Sequence, residues 1–288
     1  AIYKAFSASN KPDKELASEL SDGVLKKLVE HGFSATNPPS VESIQDLVES
    51  TLIDQGHSDI AKGYILYRHE RRKIRDEKMK VLNTKTLDSV GKSFDINCLR
   101  VLASRYLMRD NKNEINETPS ELFERVAVLV AISDILRNSE LFVAEGGISQ
   151  NIEEATEYLK KLDDFNYKFK IGKYYLNKWH FRCLINCYVD LANQGKMKVP
   201  FKELLTMIAS KKLDAYADKI SEYYELMVSQ DFLPNSPTMM NAGGRLGQLS
   251  ACFVLAMPDD MAGIMKSTSD AALIFKSGGG VGINYSDL

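Results

Sequence analysis

Apolar residues recur at helical spacing from the N-terminus to about Gln230. At Phe232 that pattern stops, and an order of strand, helix, glycine-rich turn and strand replaces it. Apolar side chains three and four apart share one face of a helix, whereas a strand is a short apolar run between turn residues. The chain is therefore expected to be a mainly α region followed by the opening of an α/β layer. In the first stretch Ile2, Phe6, Leu16, Leu20, Leu25, Leu28 and Val29 supply the apolar faces. Asn37-Pro38-Pro39-Ser40 interrupts them, and Ser40 is a natural N-cap for a helix bearing Ile44, Leu47, Val48 and Leu52. A third helix is expected from Ser58 to Arg75, through Ile60, Tyr64, Ile65 and Tyr67, and the polar run Asn83 to Asp88 reads as a linker. Beyond it, Leu99 to Met108 is helical. Thr118-Pro119-Ser120-Glu121 has the form of a capping box with proline at the first helical position. Gly195 to Pro200 is a break, and Phe201 to Leu226 carries two more helices. After Phe232 come a loop at Leu233–Thr238, a turn at Gly243-Gly244-Arg245, a strand within Leu249–Met257, a helix over Met261–Lys276 and a strand at Val281–Tyr285. The divisions expected are 1–82, 83–228 and 229–288.

Charge and cysteine usage narrow the class. The net charge is −2, which gives no global electrostatic case for binding nucleic acid. The local basic run Arg71-Arg72-Lys73-Ile74-Arg75 lies among Glu70, Asp76 and Glu77 and reads as a solvated helix face. Cys98, Cys183, Cys187 and Cys252 are too few and too irregularly spaced for a disulfide scaffold. They point to a reducing, cytoplasmic setting. No run of about 18 apolar residues suggests a membrane span. Ala1 reads as the middle of an element, and Tyr285-Ser286-Asp287-Leu288 as an interrupted fold.

Four groups of residues could carry chemistry. Cys252 sits in an apolar strand beside Ser250, where a lone cysteine is ordinarily a small core residue unless a second thiol or a base faces it. Gly278-Gly279-Gly280 is either a turn needing positive φ or a place where backbone approaches a ligand. Its spacing fits neither the phosphate-binding loop nor the dinucleotide fingerprint. Asp259 and Asp260 stand at a helix start, where capping is the plain reading. His180, Cys183 and Cys187 have part of a metal-ligand spacing but lack a second ligand pair and lie among apolar residues. They read as core, and no metal site is expected.

Three blocks carry a resemblance to a known family. They are Leu233-Pro234-Asn235-Ser236-Pro237-Thr238-Met239-Met240-Asn241-Ala242-Gly243, then Gln248-Leu249-Ser250-Ala251-Cys252-Phe253-Val254-Leu255, then Lys276-Ser277-Gly278-Gly279-Gly280-Val281-Gly282. In this order and at these distances they resemble the start of the ten-stranded catalytic barrel of ribonucleotide reductases. The wording around Cys252 is most like the adenosylcobalamin-dependent class II enzymes. Residues 94–131 resemble the helical N-terminal part of the same class. Residues 1 to about 80, ending in Tyr67-Arg68-His69-Glu70-Arg71, resemble a partial ATP-cone, the family's regulatory nucleotide module.

The resemblance implies roles one residue at a time. Cys252 matches the first cysteine of the redox pair near the ribose 2′ position. Ser236 and Thr238 match substrate-binding positions, Ala251 a position where only backbone can serve, and Gly280 the backbone that approaches substrate. Asp259, with Asp260 and Met261 beside it, matches the site of the specificity effector, a deoxynucleoside triphosphate. The helix after it matches one that pairs across a homodimer. Arg71 is the remaining candidate for the cone's ATP. The implied partners are a ribonucleoside di- or triphosphate, the effectors and a thioredoxin-like reductant. The radical cysteine, its Asn and Glu partners and the second redox cysteine are expected beyond Leu288, and the cone's basic hairpin before Ala1. The chain alone is thus expected to be inactive. Three alternatives stay open: the class I large subunit, a non-catalytic cone-bearing regulator (although no Cys-x-x-Cys ribbon occurs), and one half of a split enzyme.

Overall fold

The computed structural model describes residues 2–3, 6, 12–145, 150–164, 166 and 168–288. The chain divides into two compact units, 1–81 and 82–288. That part of the expected first helix which falls on residues 7–11 lies outside the described residues.

The first unit contains α1 (Lys14–Glu30), α2 (Val41–Asp54) and α3 (Ser58–Val81). Asp13 caps α1 by accepting from the Leu16 N–H, and Ser40 caps α2 by accepting from Ser43 at 3.0 Å, as its position suggested. The buried stripe of α1 is Ala17, Leu20 and Val24, which meets Val48, Leu52, Ile60 and Tyr64 from the other two helices. This corrects the apolar face read from sequence. Leu25 and Val29 are 59% and 73% exposed, because each falls one residue, about 100° of helix, away from the Leu20–Val24 line. Ile65 lies off the Ile60–Tyr64 line for the same reason. Arg68 of α3 donates to Asp46 and Glu49 of α2, both at 2.8 Å, and so clamps the two helices at their polar edge.

The second unit is built on one helix. Thr118 and Glu121 form a complete capping box, with Pro119 at the start of the helix Pro119–Leu136. We label the helices before it α4 (Ser89–Ser93) and α5 (Ile96–Arg105), and the helix itself α6. Leu122, Phe123, Val126, Ala127, Leu129, Ile132 and Ile135 of α6 are all buried, so the helix is apolar nearly all round and sits inside the unit. Packed against it or one layer out are α7 (Glu153–Lys160), α8 (Lys178–Asn193), α9 (Phe201–Ala209) and α10 (Tyr216–Val228): α8 and α10 touch α6, α7 packs on α8, and α9 on α7. A two-stranded hairpin, β1 (Lys170–Ile171) with β2 (Tyr174–Tyr175), precedes α8. Gly91-Lys92-Ser93 has the ending of a phosphate-binding loop. However, Thr86 stands where that loop needs its first glycine, and the triplet is inside the five-residue α4.

After α10 the character changes as expected. The Leu233–Thr238 segment is not wholly loop: Asn235 accepts from the Thr238 N–H and starts a short helix, α11 (Ser236–Asn241), with Pro237 in its first turn. The strands β3 (Cys252–Ala256) and β4 (Gly280–Asn284) pair in parallel and are joined by α12 (Met261–Lys276). Asp260, not Asp259, caps α12, accepting from the Gly263 N–H at 2.8 Å. No helix among the described residues is long and apolar enough to cross a membrane.

The first unit's core gives a direct test. Leu52→Ala should cost about 2–5 kcal/mol in chemical denaturation, the usual loss for a fully buried leucine. Leu25→Ala should stay within about 0.5 kcal/mol of wild type. Equal losses at the two positions would contradict the stripe described above.

Candidate functional site

Backbone pairing and three side-chain bonds bring the singled-out residues of 236–280 together. In the parallel ladder Cys252 is the register partner of Gly280, and the Gly280 N–H donates to the Ala251 carbonyl at 2.7 Å. Thr238 donates from Oγ1 to the Leu249 carbonyl at 3.1 Å. Asn241 donates from Nδ2 to the Gln248 carbonyl at 2.9 Å, which ties α11 to the segment entering β3. Ser236 exchanges a hydrogen bond with the Tyr106 hydroxyl at 2.9 Å. Cys252, Val254 and Ala256 share the exposed face of β3, and Val254 is 80% exposed. Cys252 is a free thiol on that open face and not the packed core residue that a lone strand cysteine ordinarily is.

The three glycines separate into three cases. Gly278 has φ +83°, so a turn residue explains it. Gly279 is crowded: a Cβ there would sit 2.7 Å from Ile274 Cγ2 and 2.9 Å from Phe253 Cε2. Gly280 is neither. Its φ is ordinary, and the nearest neighbour of an added Cβ, the Ala251 oxygen, lies at 3.5 Å. Among the described residues nothing packed against it requires a glycine at 280.

Asp259 is exposed, and its neighbour Asp260 carries the capping bond. Met261, at the first position of α12, is exposed. Arg71 lies in the other unit, exposed on α3, with its guanidinium 6.0 Å from the Tyr67 ring centre. The structure thus gathers Ser236, Thr238, Ala251, Cys252 and Gly280. Tyr106 is an addition that sequence did not signal, being 130 positions from Ser236.

The sequence also gave no sign of the support beneath this site. Arg125, inside α6, is buried and salt-bridged at 2.6 Å to Glu117, whose side chain is 9% exposed. Its guanidinium also donates to the carbonyls of Ala242 and Met239, at the end of α11. His180 donates from Nε2 to the Arg125 carbonyl at 2.9 Å, while its Nδ1 accepts from the Asn177 N–H at 3.1 Å. Asn177 in turn donates to the Gly243 carbonyl at 3.0 Å. Gly243 has φ +63°, and a Cβ there would meet His180 and lie 2.6 Å from Arg125 Cγ. The turn that follows α11 is therefore locked from below by three polar side chains. Beside them is a cleft of about 480 Å³ lined by Glu117, Glu121, Glu124, Lys178, Trp179 and His180, among others. Burial pushes the Glu124 carboxyl up, and Glu121 adds to this. No group of three or more His, Cys, Asp or Glu among the described residues could hold a metal ion.

Comparison with known proteins agrees with this architecture. Residues 1–73 match the ATP cone domain, residues 92–178 and 189–247 match the ribonucleotide reductase all-alpha domain, and residues 250–288 match the ribonucleotide reductase barrel domain. The chain belongs to the ribonucleotide reductase family. Within it, the chain is similar over its whole length to a vitamin B12-dependent ribonucleoside-diphosphate reductase of Thermoplasma acidophilum. Identity is 36%, and the match covers 34% of that relative. The enzyme of the same name from Mycobacterium tuberculosis is 26% identical over the whole chain and 30% of its own length. The ribonucleoside-diphosphate reductase subunit alpha of Chlamydia trachomatis is 23% identical over the whole chain and 34% of its own length. The chain thus spans about a third of the relatives it matches.

His180 makes the support testable by pH. Burial lowers its pKa to about 4 from the ordinary 6.5. The geometry agrees, since a proton on Nδ1 would point at the Asn177 N–H. The unfolded chain therefore binds a proton between pH 6.5 and 4 that the folded chain refuses. Stability from this group is complete above pH 6.5 and falls by roughly 3 kcal/mol as pH drops to about 4. Unfolding midpoints measured across that window should fall steeply for the wild type and much less for His180→Asn. Parallel curves would show that His180 is not the group responsible.

Proposed function

We propose that this chain supplies a ribonucleotide-reducing enzyme with its first redox cysteine and part of its substrate floor. The observation that carries this is the pairing of a free, exposed Cys252 with Gly280, a glycine that neither φ nor packing explains. A glycine with no internal reason is what close approach of a ligand to backbone requires. In this reading Ser236, held by Tyr106, and Thr238 line the same floor, and the Ala251 backbone borders it. The domain limits we assign are 1–82, 83–228 and 229–288.

Removing a ribose 2′-hydroxyl as water and placing hydrogen on C2′ takes two electrons and two protons. Two thiols supply them and become a disulfide, which exchange with an external dithiol resets. Cys252 is one of those thiols, and the other belongs to the complete enzyme. The substrate is a ribonucleoside di- or triphosphate and the reductant a thioredoxin-like dithiol. Two of the compared relatives are named vitamin B12-dependent, and on that ground we extend adenosylcobalamin to the complete enzyme. That group supplies a radical. The strands β3 and β4 hold neither a histidine nor a second thiol beside Cys252, so the residues that hold that group belong to the complete enzyme.

The effectors follow the same logic. Residues 1–82 take ATP, with Arg71 as the cation we assign to it. Asp259, left out of the helix cap, binds a deoxynucleoside triphosphate together with Asp260 and Met261 at a homodimer surface formed by α12.

In the complete enzyme, Cys252→Ser should abolish turnover with a dithiol reductant while leaving nucleotide affinity within about threefold. Normal turnover would make Cys252 a structural residue. Asp259→Ala should weaken deoxynucleotide-driven dimerisation at least tenfold, read by light scattering. An unchanged response would remove Asp259 from the effector site.

A further inference from the structure

Cys183 and Cys187 stand one turn apart on α8, and their Sγ atoms are 3.8 Å apart. Both are half-buried and free. Cys183 also lines a cavity of about 380 Å³ with Trp179, Arg182, Asn186 and the Gly243–Gly247 turn, so a small reagent can reach it. Nothing in the function above uses this pair.

Their separation is informative. A disulfide needs sulfurs at about 2.05 Å and Cβ atoms at about 3.5–4.5 Å. Positions four apart on a helix hold their Cβ atoms at about 5–6 Å, so closing a disulfide would distort α8. One atom bonded to both sulfurs at about 2.3 Å would hold them roughly 3.3–3.8 Å apart, the shorter end for a pyramidal centre, so from the 3.8 Å seen here only a small approach of the two sulfurs lets one atom bridge them. A metal ion that needs four protein ligands would not find them, because no group of three or more His, Cys, Asp or Glu among the described residues is placed to hold a metal ion.

We propose that Cys183 and Cys187 form a two-sulfur binding site for a thiophilic centre of the trivalent-arsenic type, which completes its bonding with two thiolates. The step is a condensation without redox change. An organoarsenic oxide, R–As=O, meets two thiols, two As–S bonds form, and the oxygen leaves as water with the two thiol protons. One member is prepared for the attack, since the hydrogen bond from Cys183 lowers the pKa of Cys187 and favours its thiolate, while the same bond raises that of Cys183, which enters as the thiol. The bridged product staples one turn of α8. The first turn of the same helix carries Asn177 at its cap and His180, which hold the Gly243 turn.

The test uses the reduced 288-residue chain and phenylarsine oxide, read by intact mass and by counting free thiols. The expected result is one adduct per chain, a mass increase equal to the reagent minus one water, two of the four thiols lost, and a raised Tm. Cys183→Ser or Cys187→Ser should each weaken capture at least tenfold, while Cys98→Ser and Cys252→Ser leave it unchanged. Circular dichroism of each variant keeps loss of binding distinct from loss of fold. An adduct that survives in a folded Cys183→Ser or Cys187→Ser variant would overturn the proposal. So would loss of both thiols to a disulfide oxidant with no arsenical adduct, which would make the pair a redox couple instead.

Discussion

A guanidinium taken out of water destabilises a fold by several kcal/mol unless a carboxylate pairs with it and its remaining donors are satisfied. Arg125 is only 6% exposed and Glu117 only 9%, so the requirement is nearly complete here. Glu117 meets the charge, and the carbonyls of Met239 and Ala242 take further donors. That necessity fixes where the chain must turn after α11. Those two carbonyls have to face α6, and Gly243 has to pass over His180 and Arg125 with no side chain of its own. The segment from Asn235 to Ala251 inherits its position from this. The buried ion pair is better understood as a device that fixes one geometry than as a large source of net stability, since well-packed apolar residues can often replace such a pair without loss.

What sequence could show was what happens within one helical turn. Ser40 and the Thr118–Glu121 box were legible because a cap and its N–H lie three residues apart. The pair Asp259-Asp260 was legible as a helix start. Which of the two caps depends on a backbone angle that no residue type reveals. The strand–helix–strand order after Phe232 was legible because its apolar runs are short and its punctuation is glycine and proline. The α1 face was misjudged because Leu25 and Val29 are as apolar as Leu20 and Val24, and only the position of the neighbouring helices selects one stripe over the other. The Arg125 hub and the Tyr106–Ser236 contact were invisible for a different reason. Arg125 and the Ala242 carbonyl are 117 positions apart and Tyr106 and Ser236 are 130 apart, and neither Arg nor Tyr carries a spacing that announces a buried role.

Comparison with known proteins adds weight to the two ends of the chain unequally. The match of residues 250–288 to the barrel domain rests on a stretch where glycine and thiol positions have separable reasons, as Gly278, Gly279 and Gly280 show. Residues 1–73, which match the ATP cone domain, hold a helical core to which Ile2 and Phe6 also contribute, and there Arg68 with Asp46 and Glu49 spends charge on an internal clamp. Arg71, one turn further along α3, is spared from that clamp and remains on the surface.

The redox role proposed for Cys252 makes a demand on its placement. A cysteine that must meet a second thiol has to bring its Cα to within about 4.4–6.8 Å of the partner's Cα, a tolerance that a mobile loop would rarely hold. The parallel ladder holds it: Cys252 is pinned to Gly280 by register, Gly280 to Ala251 by a 2.7 Å bond, and the entry to β3 by Thr238 and Asn241. The alternation of the strand then does the rest. Phe253 and Leu255 turn toward α12 and are partly covered, while Cys252 and Val254 face the open side. A parallel pair of strands is ordinarily covered on both faces, whereas here the open face of β3 sets an exposed thiol on a backbone held from below.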